Sequence, residues 1–187
     1  MDAGRRWILL VVLAGAALGG AAADYWYRTR GSVPAGAQGD SATLQADVER
    51  LKSLLPNQSH IMMDVGYHWA SLWFAAKEQN WPLARFFYSE TRQHIAWTVL
   101  LRPVRKHPDG SDVNIKGIWD GIEPSSFAAV DLAIDQEDFA EFEKEYKVAL
   151  ESCYACHRSS GLPHLRPTIP TVPPATIINF DPKATWP

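Results

Sequence analysis

The only two cysteines of this chain, Cys153 and Cys156, lie in one pentapeptide, Cys153-Tyr154-Ala155-Cys156-His157. Neither has another cysteine with which to build a long-range disulfide, so the fold cannot rest on a cross-linked framework. On a helix, positions i, i+3 and i+4 share one face. Whatever this chain folds into must therefore bring two thiols and an imidazole together against one neighbour.

The spacing C-x-x-C-H is the attachment signature of c-type haem. The two thiols can add to the vinyl groups while His157 reaches the iron as proximal ligand. Two competing readings are weaker. A thioredoxin-like redox pair expects a βαβ setting, and strand-like alternation is nearly absent here. A structural zinc site needs a fourth ligand beside Cys153, Cys156 and His157, and there is no second cysteine pair.

The N-terminus fits an exported protein. Arg5 and Arg6 precede an apolar run from Trp7 to Ala23, followed by Tyr25, Trp26, Tyr27, Arg28 and Arg30. Trp7 and Trp26 are nineteen residues apart, about 28 Å along a helix, matching an aromatic belt at each face of a bilayer. Residues 1–27 are accordingly expected to be an uncleaved anchor in a cell inner membrane, with the rest of the chain on the periplasmic side. The small residues Ala21-Ala22-Ala23 leave open a cleaved signal peptide and a soluble periplasmic product. With a net charge of −3 and no basic block, nucleic acid is not an expected partner.

Residues 28–41 are small and polar and read as a linker. From Ser41 a short amphipathic stretch places Leu44, Val48, Leu51 and Leu55 at three- and four-residue spacing, ending at Pro56. It reads as a stalk, a lid or a self-association seam. Four further helices are expected between 42 and 160, and the fold class is all-α, an antiparallel four-helix bundle. The first runs from Ser59 to Gln79, with Met62, Val65, Trp69, Leu72 and Ala76 on one stripe. The second runs from Pro82 to just before Pro103, with Phe87, His94 and Ile95 among its apolar positions. A loop from Pro103 to Pro124 precedes a short third helix. The fourth begins at Asp138, where Glu141 three residues on suggests a capping box, and carries Phe142, Tyr146, Leu150, Cys153 and His157 in register. The proline-rich tail, 161–187, cannot continue that helix. It is expected to lie extended over the bundle to cover Leu165, Ile169, Val172, Ile177, Ile178 and Phe180.

An exported helical bundle with C-x-x-C-H near the end of its last helix resembles the cytochrome c-prime family, the class II c-type cytochromes. The resemblance covers about 59–161, chiefly as architecture. It implies one covalent haem c within the bundle, with the opposite iron face covered by the first helix and either open or closed by a methionine. Met62, which heads the core stripe, is the candidate distal ligand. Met63, about 100° round the helix, is the alternative, and a vacant or histidine-ligated iron is a third possibility. The resemblance also implies a homodimer through the first two helices. The long 103–124 loop and the tail depart from the family pattern.

Trp69 and Tyr146 are the candidate haem-packing aromatics; Trp73, Trp81, Trp97 and Phe86 are assigned to core or haem packing. Arg85, Arg92, Arg102 and Arg158 are candidate partners of the haem propionates. His60, Asp64 and His68 read as a solvated polar face, and His94 as a hydrogen-bonded core histidine. The function expected is non-enzymatic: one-electron transfer between membrane-bound or periplasmic redox proteins. A gas-binding haem protein and a fixed subunit of a larger redox complex are the alternatives.

Overall fold

The computed structural model describes residues 35–174 and 177–185. The expected membrane anchor lies outside the described residues, none of whose helices is long and apolar enough to cross a membrane. The chain divides into two units at Leu55 and Pro56. Of the first, one helix is described, α1 (Ala35–Leu54). It starts earlier than Ser41, inside the stretch expected to be a linker. Its apolar positions Leu44, Val48, Leu51 and Leu54 are all exposed.

The second unit is built mainly of helices: α2 (Gln58–Lys77), α3 (Trp81–Leu101), α4 (Ile115–Ile122), α5 (Ala128–Asp135) and α6 (Phe139–Ser159). Side-chain caps fix where these begin. Asn57 Oδ1 accepts from His60 N at 2.8 Å, and Asn80 Oδ1 accepts from Leu83 N at 3.3 Å, with Pro82 tolerated in the first turn. Asp138 Oδ1 accepts from both Ala140 N and Glu141 N. The reciprocal half of the expected capping box is absent, because Glu141 turns instead to Lys144 at 2.7 Å.

Three helices end in the same reversed turn. After α2, Asn80 N donates to Ala75 O (2.8 Å) and Gln79 N to Ala76 O (2.9 Å), which requires Gln79 at φ 57°. After α5 the residue in this position is Glu137, at φ 55°. After α6 it is Gly161, at φ 73°. Only the last has the residue that adopts this conformation without steric cost.

The expected 103–124 loop is structured. Val104–Lys106 (β1) pairs antiparallel with Asp112–Asn114 (β2), in the register Arg105 opposite Val113, and α4 follows directly. Two three-residue strands carry no periodicity long enough to be legible, so sequence patterning passes over them. The segment Glu123–Phe127 forms a π-helical turn. Here Pro124 lacks an N–H, and Tyr88 Oη donates to Phe127 O at 2.9 Å.

A short link joins α2 to α3, and these two share the broadest contact in the unit, so they form an antiparallel hairpin. Leu72, Ala75, Ala76 and Ala84 are fully buried there, as are Phe142, Tyr146 and Ala149 of α6. The small residues let the helix axes approach while the rings fill the space beside them. Trp69 stacks on Tyr146 at 4.7 Å between ring centroids and on Phe127 at 5.0 Å. Trp73 and Trp81 are buried as expected, but Trp97 and Phe86 are about half exposed, at 51% and 53%, and are not core. Of the tail, Ile169, Ile178 and Phe180 pack against the core, whereas Leu165, Val172 and Ile177 remain exposed.

Candidate functional site

The helices leave open a predominantly apolar cavity of about 490 Å³, in the size range of pockets that hold small molecules and cofactors. Met62, Val65, Gly66 and Trp69 line it from α2, and Thr91, Ile95, Thr98 and Val99 from α3. Ile115, Ile118 and Trp119 of α4 and Phe127 of the π turn form another wall. The end of α6 contributes Leu150, Cys153, Cys156 and His157, and the tail closes over it with Leu162, Leu165 and Arg166. The three motif residues therefore meet one space, as the i, i+3, i+4 spacing demands.

The state of these residues separates the competing chemistries. Cys153 and Cys156 are not disulfide-bonded. Burial pushes the Cys153 thiol up to about 12, with the neighbouring Cys156 adding to the effect. Cys156 is also raised by burial, partly offset by a hydrogen bond from Ser160. Thiol–disulfide catalysts instead need a thiol lowered by a helix N-terminus or a nearby cation. Here both thiols sit at the C-terminal end of α6, where the helix dipole opposes ionisation, so a redox-active dithiol is a poor fit.

His157 is oriented for ligation. Its Nδ1 lies 2.8 Å from the backbone carbonyl of Leu165. A carbonyl only accepts, so Nδ1 is the donor and Nε2 is the ring nitrogen left to ligate. This is the usual arrangement of an axial or metal-bound imidazole. The acceptor comes from the tail, which the reversed turn at Gly161 folds back against the end of α6. A Cβ at Gly161 would stand 2.3 Å from Pro108 Cδ and 2.9 Å from His107 Cδ2. Glycine is required there both for φ and for space.

Met62 and Met63 both reach the cavity, but they are unequal. Met62 is half-buried against the core, while Met63 is 72% exposed. Trp69 lines the cavity as expected. Tyr146 does not: it is fully buried beneath Trp69, stacked on its ring and donating its hydroxyl to Trp69 O at 3.0 Å. Its task is to support the wall.

The four expected propionate arginines are elsewhere. Arg85 pairs with Asp131 and Asp135, and Arg92 with Glu123 at 2.6 Å. Arg158 lies over the Tyr154 ring, and Arg102, the residue that ends α3, does not line the cavity. The cationic residues on the cavity are Arg105, from β1, and Arg166, from the tail. Sequence reasoning missed both because they belong to the two segments without helical periodicity. Arg105 Nη1 donates to Gln58 Oε1 at 2.7 Å, and its Nε is buried with no partner among the described residues.

These features fit a covalently attached haem. The cavity is apolar where a macrocycle would lie, and two thiols and a ligating imidazole share one wall. A methionine stands on another helix, and a buried arginine donor is left for a carboxylate. Gly66 adds to this. It lies inside α2 at a cost of roughly 0.5–1 kcal/mol relative to Ala, and no atom lies within 4 Å of where its Cβ would stand.

No family model matches the chain, and neither the curated proteins nor the solved structures include a match.

Proposed function

We propose that this chain is a membrane-tethered monohaem c-type cytochrome that transfers single electrons between redox partners on the periplasmic side of the inner membrane. The observation that carries this reading is the wall formed by Cys153, Cys156 and His157, with the His157 tautomer set by Leu165 O 2.8 Å from Nδ1. We read α2, α3, the α4–α5 segment and α6 as the antiparallel four-helix bundle of the cytochrome c-prime architecture, enlarged by the β1–β2 hairpin and the tail. When bound, the haem supplies reversible one-electron iron chemistry.

The chain's own residues set the conditions for that chemistry. Cys153 and Cys156 would anchor the group covalently, so that it could not dissociate at any potential. His157 would hold the iron through Nε2, its hydrogen bond to the tail making the imidazole a stronger donor. Met62, on α2, would be the second protein ligand. Trp69, Trp119 and Phe127 exclude water, which favours the less charged state and limits reorganisation. Arg105 and Arg166, the arginines that line the cavity, would hold the propionates. A tether between this unit and the membrane raises its local concentration near membrane-bound partners.

The test is to mature the full-length chain with haem and record oxidised and reduced spectra with and without carbon monoxide. The expected result is one haem per chain that survives denaturation, and a low-spin spectrum insensitive to carbon monoxide. Met62→Ala should convert it to high spin, while Met63→Ala should leave it unchanged. Properly exported and matured protein carrying no covalent haem would overturn the cytochrome reading. A high-spin wild type that binds carbon monoxide would keep the haem but replace electron transfer by gas binding.

A further inference from the structure

Outside the cavity, the α2–α3 hairpin brings together a second group of chemically active side chains. Taking 100° per residue, His68 lies about 120° round α2 from Met62, and Asp64 about 160°. On α3, Glu90 and His94 fall beside the cavity stripe that contains Thr91 and Ile95. One ligand atom from each of His68, Glu90 and His94 can be chosen so that all three lie within 4.8 Å of one another. The two imidazoles approach to 4.9 Å between ring centroids. Asp64 Oδ2 stands 3.9 Å from His94 Nε2.

A core histidine with its hydrogen bonds made explains only part of this. His94 Nδ1 lies 2.7 Å from Glu90 O and must donate to it, so Nε2, on the side of Asp64, is the ring nitrogen left to ligate. His68 Nδ1 is buried with no hydrogen-bond partner, an arrangement that ordinarily carries an unreturned desolvation cost. The unpartnered Nδ1 of His68 therefore lacks the hydrogen bond that a settled core histidine would have. Among the described residues neither Asp64 nor Glu90 pairs with a lysine or arginine; both have His94 as their ionic neighbour, at 3.9 and 4.0 Å. Two carboxylates and two imidazoles, with no lysine or arginine paired to the carboxylates, share this space beside the rings of Tyr67, Phe87 and Trp97.

We propose that His68, Glu90 and His94 bind a divalent transition-metal ion of the zinc class, with Asp64 or water completing the coordination. Two imidazoles and a carboxylate are a donor set suited to zinc. Ligand atoms about 2.1 Å from a tetrahedral zinc lie about 3.4 Å apart, so binding requires the three side chains to draw in by rotation about their χ angles. The donation of His94 Nδ1 to a backbone carbonyl is the outer contact that orients such ligands. The ion would clamp α2 to α3, the two helices that form one side of the cavity.

The site does not depend on haem, and the test reads it separately. The full-length chain in mild detergent is stripped with EDTA, dialysed against buffered micromolar zinc chloride, and assayed for zinc and iron by mass spectrometry. One zinc per chain is expected whatever the iron content. His94→Ala and Glu90→Gln should each weaken zinc uptake by more than the roughly 10–100-fold that loss of an outer hydrogen-bond partner costs. His60→Ala and His164→Ala should not change it. Glu90→Gln preserves shape, and helicity and melting in the absence of zinc report whether a variant still folds. Failure of the wild type to retain zinc would overturn the proposal, and so would equal uptake by the well-folded Glu90→Gln variant.

Discussion

Helix α2 presents two faces that differ in how their chemistry is assembled. Toward the cavity it contributes Met62, Val65, Gly66 and Trp69, opposite a motif whose three reactive residues all come from the last two turns of α6. Toward α3 it contributes Asp64 and His68, and the other two residues of that cluster come from the neighbouring helix. The first arrangement is local: helical spacing alone juxtaposes Cys153, Cys156 and His157, and any helix would do so. The second exists only once α2 and α3 have packed at this register. The motif therefore needs only α6 to be formed, whereas the cluster needs the packed α2–α3 hairpin, and each is sensitive to different kinds of damage.

The largest effect should come from breaking the local motif. Cys153→Ala combined with Cys156→Ala should abolish covalent haem altogether, read as loss of the visible absorbance from the denatured chain. If the two faces are independent, zinc uptake by this variant stays at the wild-type level. Simultaneous loss of zinc uptake would mean that the α2–α3 hairpin does not hold its register without the filled cavity.

Next in size is Gly161→Ala. The left-handed conformation costs a residue with a Cβ roughly 1–2 kcal/mol, and the encounter with Pro108 and His107 adds an overpacking penalty of about 1–3 kcal/mol. A loss of about 2–5 kcal/mol in urea unfolding is expected. Because this turn returns Leu165 O to His157, the variant should also disturb the haem spectrum while leaving zinc uptake intact. Tyr146→Phe should cost less, about 1 kcal/mol for one buried hydrogen bond. It should leave the spectrum unchanged, since Tyr146 supports Trp69 from behind and does not reach the cavity.

The same contrast explains what was legible in the sequence. The motif, the mainly helical class and the approximate starts of α2, α3 and α6 follow from local rules: i, i+3, i+4 spacing, apolar stripes, Pro82 in a first turn and Asp138 ahead of α6. The place of Met62 on the cavity lining follows as well, from the stripe it shares with Trp69. The β1–β2 hairpin, Arg105 and Arg166 were not readable, because their positions depend on the packing of segments without periodicity. Arg85 and Arg92 looked equally available in sequence, but Asp131, Asp135 and Glu123 claim them across helices. His68 reads in the sequence as part of a solvated face because its own helix offers only His60 and Asp64 on that side. What changes the reading is Glu90 and His94, whose proximity is a property of the hairpin.

The smallest predicted effect has the opposite sign. Gln79 and Glu137 occupy, after α2 and α5, the left-handed position that Gly161 occupies after α6. Steric strain at such a position is about 1–2 kcal/mol for a residue with a Cβ. Glycine would relieve it, at the expense of about 0.4–1 kcal/mol through a more flexible unfolded chain. Gln79→Gly should therefore stabilise the protein by about 0.8 kcal/mol, the difference between the middles of those two ranges. This side chain lines neither the cavity nor the histidine cluster, so haem spectrum and zinc uptake should be unaffected. A destabilised Gln79→Gly variant would show that the glutamine side chain makes a contact worth more than the strain of its backbone. The turn joining α2 to α3 would then itself help to set the hairpin register on which the cluster depends.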